Sequence, residues 1–192
     1  RHDPRETQRA KESQTIPLTS KPSYAISYAK DIDGKDFKFR IDTEDYLKYK
    51  RKGDHRLDFS HDAYSRLMEF MTPDDESIRG IAYNLTLSAK TDEDKARAIM
   101  QYVHQHLYDD ASELDSEYVR YPLETIVDRN GDCEDLAILG ASLMKAADLD
   151  VALLVWPAHP GRSGHAAIGV AGDFGGMGFT AERVAERFGI SR

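Results

Sequence analysis

The stretch Gly131-Asp132-Cys133-Glu134-Asp135-Leu136-Ala137-Ile138-Leu139 decides the fold, because a polar start leads directly into an apolar run. Apolar side chains continue on most sides through residue 147, which predicts a buried helix over 133–147. Cys133 is the one cysteine of the chain and stands in the first turn of that helix. The unpaired amides and the dipole of a helix N-terminus stabilise a thiolate. This position favours a chemical role over the alternative, a small side chain packed in the core.

Two strand patterns follow the predicted helix. Residues 150–156 are almost continuously apolar, and residues 165–171 form a second apolar segment after a loop. If the helix packs across this sheet, Cys133 and His165 can meet at one end of the layer. An imidazole in that place deprotonates a thiol and later protonates a leaving amine. His159 is the rival base, and a strand-end histidine without a role is the alternative for His165.

Local signals predict the elements upstream. Alternation over residues 24–28 and 35–42, with a turn at Asp33-Gly34, predicts a hairpin. Thr72 with Pro73 predicts the start of a helix to about residue 88, and Thr91 predicts the cap of another to about residue 108. Residues 109–130 are predicted to be a long connection, and residues 180–190 a last helix.

Composition limits the function classes. The chain has 192 residues, 40% hydrophobic and 31% charged, with a net charge of −8 and a pI of about 5.4. An acidic balance argues against nucleic acid and anionic membrane as partners. No apolar run approaches the ~20 residues of a membrane span, so insertion of this chain into a membrane is not expected. We predict a lead-in over 1–22, a strand-containing appendage over 23–70 and a catalytic core over 71–192.

Three motifs carry a resemblance to a known family. They are Tyr121-Pro122-Leu123-Glu124-Thr125, Gly131-Asp132-Cys133-Glu134-Asp135-Leu136-Ala137 and Gly164-His165-Ala166-Ala167. In this order the chain resembles the transglutaminase-like cysteine hydrolase superfamily over roughly residues 70–172, and within it the bacterial transglutaminase-like cysteine proteinases. The resemblance implies an α+β, papain-like core with the nucleophile at the N-terminus of a buried helix packed on an antiparallel sheet. It also implies an extracytoplasmic or membrane-tethered protein.

The resemblance places the nucleophile on Cys133 and the general base on His165. The family orients its histidine with an acid on a following strand, and Asp173 is the one aspartate after His165. Glu182 and Glu186 are alternatives, and an incomplete triad is the remaining one. A backbone amide at Cys133 would help to stabilise an oxyanion. Tyr118 and Tyr121 are candidates for contacting the substrate or the oxyanion, with a core or groove-lining role as the alternative.

The acids beside the nucleophile are candidate calcium ligands. In the related calcium-regulated proteases such acids bind the ion, which points to Asp132, Glu134 and Asp135 here. Hard cations prefer several carboxylate oxygens. The alternative is that these acids cap the helix and balance its dipole. No cofactor is required for the chemistry, and a metal site built on one thiolate is disfavoured because structural thiolate sites use paired cysteines.

The sequence therefore predicts a cysteine hydrolase, a peptidase that cleaves amide bonds through a thioester on Cys133. Its expected partner is a peptide or protein substrate. Transamidation differs only in the acceptor, an amine in place of water. The alternative function is a catalytically inactive transglutaminase-like module that binds peptides or surface ligands.

Overall fold

A computed structural model describes residues 24–30, 33–57, 63–109, 117–157 and 164–172. Its helices are Thr43–Lys50 (α1), Ala63–Arg66 (α2), Glu76–Thr86 (α3), Asp92–Val103 (α4), Pro122–Asp128 (α5) and Cys133–Ala146 (α6), with a 3-10 turn at Leu67–Phe70. Its strands are Tyr24–Lys30 (β1), Asp36–Asp42 (β2), Arg56–Leu57 (β3), Leu107–Tyr108 (β4), Glu117–Tyr118 (β5), Asn130–Gly131 (β6), Val151–Trp156 (β7) and His165–Val170 (β8).

The predicted hairpin is confirmed. Strands β1 and β2 pair antiparallel, with Tyr24 opposite Asp42 and Lys30 opposite Asp36. Gly34 adopts a φ of 80° in the turn, a conformation that glycine reaches without steric cost. Phe39 and Ile41 are buried, while Asp36, Lys38, Arg40 and Asp42 are exposed. This alternation lays one face of the hairpin on the core.

Helix α6 is the centre of the molecule, as its apolar run predicts. It contacts α3, α4, α5 and both strands of the β7–β8 sheet. Ile138, Leu139 and Leu143 have no exposed surface. Strands β7 and β8 are antiparallel, with Val151 opposite Val170 and Trp156 opposite His165. The predicted fold class, an α+β core with a buried helix packed on an antiparallel sheet, is confirmed.

Two predicted helix boundaries are wrong. Helix α3 begins at Glu76, because Asp75 is the N-cap and accepts the amides of Ser77 and Ile78; Thr72 does not cap it. Its apolar stripe of Ile78, Ile81, Ala82 and Leu85 is buried as expected. Helix α4 is capped by Thr91 as predicted, but it ends at Val103. Residues 107–108 leave the helix to pair in parallel with β6.

Residues 117–131 contain more structure than the predicted long connection. Strand β5 pairs antiparallel with β3, and helix α5 follows it. The carboxylate of Glu124 accepts the backbone amide of Tyr121 at the start of α5. Arg129 ends the helix with a φ of 60°, which turns the chain into β6. Short elements of this kind lack the repeated apolar spacing that identifies longer helices.

One hydrophobic cluster joins the predicted appendage to the predicted core. It contains Ala29, Phe39, Ile41, Tyr49, Leu57 and Phe70 together with residues of α3, α4, α5 and α6. The three predicted segments stay a prediction, and residues 1–22 lie outside the described part of the chain, as does the helix predicted over 180–190. Within the described ranges no helix combines the length and the hydropathy needed to cross a membrane.

Candidate active site

The first turn of α6 presents Cys133. Asp132 is the N-cap, and its side chain accepts the backbone amide of Asp135 at 3.1 Å. The main-chain carbonyl of Asp132 accepts the amide of Leu136 and starts the helical ladder. Cys133 is the first helical residue, and its side chain is half-buried. The capping acid therefore fixes the thiol at the positive end of the helix dipole.

Strand β8 brings a second group to the thiol. The backbone amide of Ala166 lies against the Cys133 sulfur. His165, the preceding residue, is exposed, and its ring stacks on the indole of Trp156 with centroids 6.0 Å apart and planes inclined by 27°. Among the described residues the thiol makes no hydrogen bond to the His165 ring. The start of α6 and the start of β8 therefore lie side by side as predicted. The His165 ring, however, stacks on Trp156 and not against the sulfur.

Glu134 is the hydrogen-bond partner of the thiol. The Cys133 Sγ donates to Glu134 Oε2 at 2.8 Å. Burial, followed by this hydrogen bond and the negative charge of Glu134, raises the pKa of the Cys133 thiol to about 12. Burial also raises the pKa of Glu134, while the nearby charge of His165 acts in the opposite direction. In this arrangement the sulfur is a thiol at neutral pH, and His165 is close enough to influence the acid that holds it.

Asp135, the last acid of the motif, pairs with Arg120. Asp135 is fully buried and accepts the Arg120 backbone amide at 2.7 Å and Arg120 Nη1 at 2.6 Å. Burial, with the charge of Asp132 next, raises the pKa of Asp135 to about 7 although Arg120 opposes the shift. Nothing in the sequence pattern identifies Arg120 as this partner, because the pair is 15 residues apart in different elements.

The predicted calcium ligands do not converge. Asp132 caps the helix, Glu134 accepts the thiol and Asp135 accepts Arg120. Across the described ranges no group of three or more histidine, cysteine or acidic side chains is arranged to hold a metal ion. This arrangement does not fit a calcium ion. Calcium binding stays a prediction.

The two predicted tyrosines belong to a different cluster. Tyr121 is buried, and its hydroxyl donates to Asp54 Oδ2 at 2.8 Å. The Tyr118 hydroxyl donates to Glu124 Oε1 at 2.9 Å. Each hydroxyl carries one proton, which is already given to a carboxylate, so this geometry does not support donation to an oxyanion. The oxyanion and substrate roles of Tyr118 and Tyr121 stay predictions.

The candidates for the third catalytic acid fall outside the part of the chain that the structure describes. Asp173 lies outside the described residues, as do Glu182, Glu186 and the rival base His159. Their roles stay predictions. The sequence motif did contain Glu134, but its contact with the adjacent thiol follows from rotamers at the helix start, which sequence spacing does not specify.

Comparisons with known proteins agree with the motif. A family model described as the transglutaminase-like superfamily matches residues 79–172, a segment that contains both Cys133 and His165. No curated protein matches the sequence.

Two solved structures are similar to the chain. One is a candidate cysteine protease from Cytophaga hutchinsonii, at 18% identity and a TM-score of 0.43, with 78% of this chain and 58% of that chain covered. The other is a TGase, at 14% identity and a TM-score of 0.39, with 80% of this chain and 46% of that chain covered. This chain therefore spans about half the length of both.

Proposed function

We propose that this protein is a cysteine hydrolase that cleaves peptide bonds, and that residues 79–172 form its transglutaminase-like core. Cys133 is the nucleophile, His165 is the general acid and base, and Asp173 orients the imidazole. The observation that carries the proposal is the position of the thiol at the start of α6, against the backbone amide of Ala166 and one residue from His165.

The reaction needs the His165 ring to leave Trp156 and turn towards the sulfur. His165 then takes the thiol proton, and the sulfur forms a bond to the peptide carbonyl carbon. The carbonyl oxygen becomes negative and is stabilised by the amide of Cys133 at the helix N-terminus. The carbon–nitrogen bond breaks as His165 returns the proton to the leaving amine.

Water completes the cycle. His165 takes a proton from the water, whose oxygen attacks the thioester carbon, and the carbon–sulfur bond breaks as the proton passes back to the sulfur. The products are a carboxylic acid and an amine, and the enzyme is restored. An amine in place of water gives transamidation. Hydrolysis is the simpler proposal because it needs no binding site for a second substrate.

Pairing of thiol and imidazole is tested by alkylation. Iodoacetamide rates are measured from pH 5 to 11 on the full chain and on the variant His165→Ala, with the exposed His104→Ala as the matched control. If His165 turns to the sulfur in solution, the wild-type rate near pH 7 exceeds that of His165→Ala by at least about 100-fold, and His104→Ala behaves as wild type. Equal rates in all three proteins would reject the pair.

Turnover is tested with a library of internally quenched peptides. Cys133→Ser is expected to abolish cleavage, and His165→Ala to reduce kcat by about 10²–10⁴-fold. Mass spectrometry should find an acyl group on Cys133 during turnover. Cleavage that persists in Cys133→Ser would reject the assignment of the nucleophile.

A binding module is the second candidate function. It is favoured by the thiol pKa of about 12 and by the stacking of His165 on Trp156, which together describe an unactivated sulfur. In that case peptides from the library bind, as measured by fluorescence anisotropy, but the Cys133→Ser variant binds equally well and no peptide is cleaved.

A further inference from the structure

Trp156 carries the ring on which the candidate base rests, and the proposed chemistry gives it no role of its own. Trp156 and His165 are direct partners across the β7–β8 ladder. Partners across an antiparallel ladder project to the same face of the sheet, with Cβ atoms about 4.5–5.5 Å apart. The stacking of the two rings, with centroids 6.0 Å apart, therefore follows from the register of the hairpin.

The two rings project from the face of the sheet that points away from α6. Ile168 lies against Gly140 of α6, and Ala166, two residues earlier, is 5% exposed. Since successive residues of a strand project to opposite faces, His165 and its partner Trp156 project to the other face. The exposure of the His165 side chain agrees with this placement.

The candidate nucleophile lies at the edge of β8 that is remote from β7. At the far end of the strand, the Ala171 amide donates to the Asp150 carbonyl at 2.9 Å and so points to the β7 side. Amides alternate in direction along an antiparallel strand, so the amide of Ala166, an odd number of residues away, points away from β7. The Cys133 sulfur lies against that amide, and hence on the opposite flank of β8 from Trp156.

His165 thus stands between two groups that compete for its ring. The Ala166 nitrogen is two bonds from the His165 Cα, at most about 3 Å away, so the sulfur beside this amide is within reach of the imidazole after a rotation about χ1. On the same flank, the charge of His165 opposes the burial that raises the pKa of Glu134, the acceptor of the thiol. A ring that stacks on Trp156 cannot at the same time contact the sulfur.

We propose that Trp156 is a positioning residue whose indole holds the His165 imidazole away from Cys133 and so limits the fraction of molecules in which thiol and base are paired. The inference rests on the proposed function. Offset aromatic pairs are stabilised beyond the burial of their surface. Because the reaction proceeds only from the other rotamer, the stack lowers the rate of each step that needs His165 at the sulfur.

Alkylation of Cys133 by iodoacetamide at pH 7 measures the paired fraction without any turnover. Trp156→Ala is expected to react about two- to tenfold faster than wild type, because the energy of one aromatic pair no longer favours the resting rotamer. Trp156→Phe keeps a ring opposite His165 and should react at nearly the wild-type rate. Leu154→Ala is the matched control, since this side chain lies on the same face of β7 but opposite Ala167, and it should behave as wild type.

The double variant Trp156→Ala/His165→Ala separates repositioning of the base from simple uncovering of the thiol. Its alkylation rate should equal that of His165→Ala, because the indole then has no imidazole to hold. A gain that persists in the double variant contradicts the inference.

The same rates distinguish failure of the inference from failure of the proposed function. If wild type exceeds His165→Ala while Trp156→Ala equals wild type, the pair of thiol and imidazole stands and only the inference is rejected. Equal rates in wild type, Trp156→Ala and His165→Ala reject the pair, and the inference with it.

Turnover and the wild-type protein give two further measurements. On a peptide that wild type cleaves, Trp156→Ala should raise kcat by a similar factor and leave KM unchanged; a change confined to KM would assign the indole to substrate binding and contradict the inference. In wild type, nuclear Overhauser effects should connect the His165 ring protons to the indole protons, with His165→Ala identifying the imidazole signals. This measurement does not depend on the folding of Trp156→Ala, and absence of these effects would overturn the inference.

Discussion

Glu134 keeps the candidate nucleophile protonated through a direct contact. The thiol donates to Glu134 Oε2 at 2.8 Å, in a site where burial already disfavours the thiolate. A negative charge at this distance raises the free energy of the thiolate further. Any activation of the sulfur must therefore remove the acid, neutralise it or bring a positive charge such as His165 beside it.

The variant Glu134→Gln tests this effect. The amide keeps an acceptor oxygen but lacks the negative charge, so we expect the pKa of Cys133 to fall by roughly one unit and alkylation at pH 8 to accelerate about tenfold. Iodoacetamide rates against pH give the shift directly. The control is Glu69→Gln, a carboxylate on the exposed surface. An alkylation profile identical to wild type would contradict the role of Glu134.

Asp135 gives the protein a pH dependence of defined sign. Its pKa is raised to about 7 in the folded chain, mainly by burial, against about 3.9 for an unperturbed aspartate. Between these values the folded chain holds a proton that the unfolded chain has lost. The free energy of unfolding therefore falls as pH rises from about 4 to about 7, and it levels off above that range.

Urea unfolding at pH 4.5 and pH 7.5 measures this contribution. In wild type the group should lower the free energy of unfolding by roughly 2 kcal/mol or more across the interval. Asp135→Asn cannot ionise and should show a correspondingly flatter dependence. The exposed Asp74→Asn should keep the wild-type dependence. If Asp135→Asn and wild type change in parallel, the raised pKa is wrong.

At the scale of elements, Gly140 sets the distance between α6 and β8. A Cβ at this position would overlap the Ile168 Cδ1 and lie 3.4 Å from the Val103 Cγ2. Glycine in a helix costs about 1 kcal/mol relative to alanine. Glycine at this position allows β8, the strand that carries His165, to pack closely against α6.

Gly140→Ala is therefore expected to destabilise the protein by about 1–3 kcal/mol despite the better helix propensity of alanine. Gly80 on α3 has no atom within 4 Å of the corresponding Cβ, so Gly80→Ala should instead stabilise by up to about 1 kcal/mol. Chemical denaturation measures both. The double variant Gly140→Ala/Ile168→Val removes the clashing methyl and should recover part of the loss. Stabilisation by Gly140→Ala alone would show that the contact is not restrictive.

The elements around the site differ in how well sequence predicts them. Helix α6 and strands β7 and β8 are predictable because each is a long apolar run, and their order alone places Cys133 near the start of β8. The start of α3 is not predictable in this way, because Thr72 and Asp75 are both good capping residues. The choice between them depends on tertiary contacts, such as the hydrogen bond that the Tyr49 hydroxyl donates to Asp75 Oδ2 at 2.8 Å.

Side-chain contacts at the site are less predictable than its elements. The bond from Cys133 to Glu134 and the pair of Arg120 with Asp135 depend on rotamers and on the path of residues 117–121, which carry no periodic signal. Tyr118 and Tyr121 illustrate the same limit. They are near the motif in sequence, but β5 and α5 direct their hydroxyls to Glu124 and Asp54.

At the scale of the whole molecule, His55 ties the N-terminal segment to the core. The ring is 4% exposed. Its Nδ1 lies 2.8 Å from the Val119 carbonyl oxygen, and its Nε2 lies 3.0 Å from the Tyr49 carbonyl oxygen. Glu124, fully buried, lies 3.5 Å from Nδ1, and the Tyr118 ring stacks on the imidazole at 4.6 Å. One side chain thus contacts α1, β5 and α5.

His55→Ala should test whether residues 24–57 unfold together with the core. The variant removes the contacts of the ring with the Val119 carbonyl, the Tyr49 carbonyl and Glu124 and leaves a cavity in place of the imidazole, so we expect a loss of about 2–3 kcal/mol in the free energy of unfolding. Because Phe39, Ile41 and Tyr49 share one hydrophobic cluster with α3–α6, the loss should appear as a lower midpoint of a single transition, followed by both tyrosine fluorescence and far-UV circular dichroism. His104→Ala, on an exposed helix end, should leave the free energy of unfolding within about 0.5 kcal/mol of wild type. Two separate transitions in His55→Ala would instead show that the N-terminal segment unfolds independently of the core.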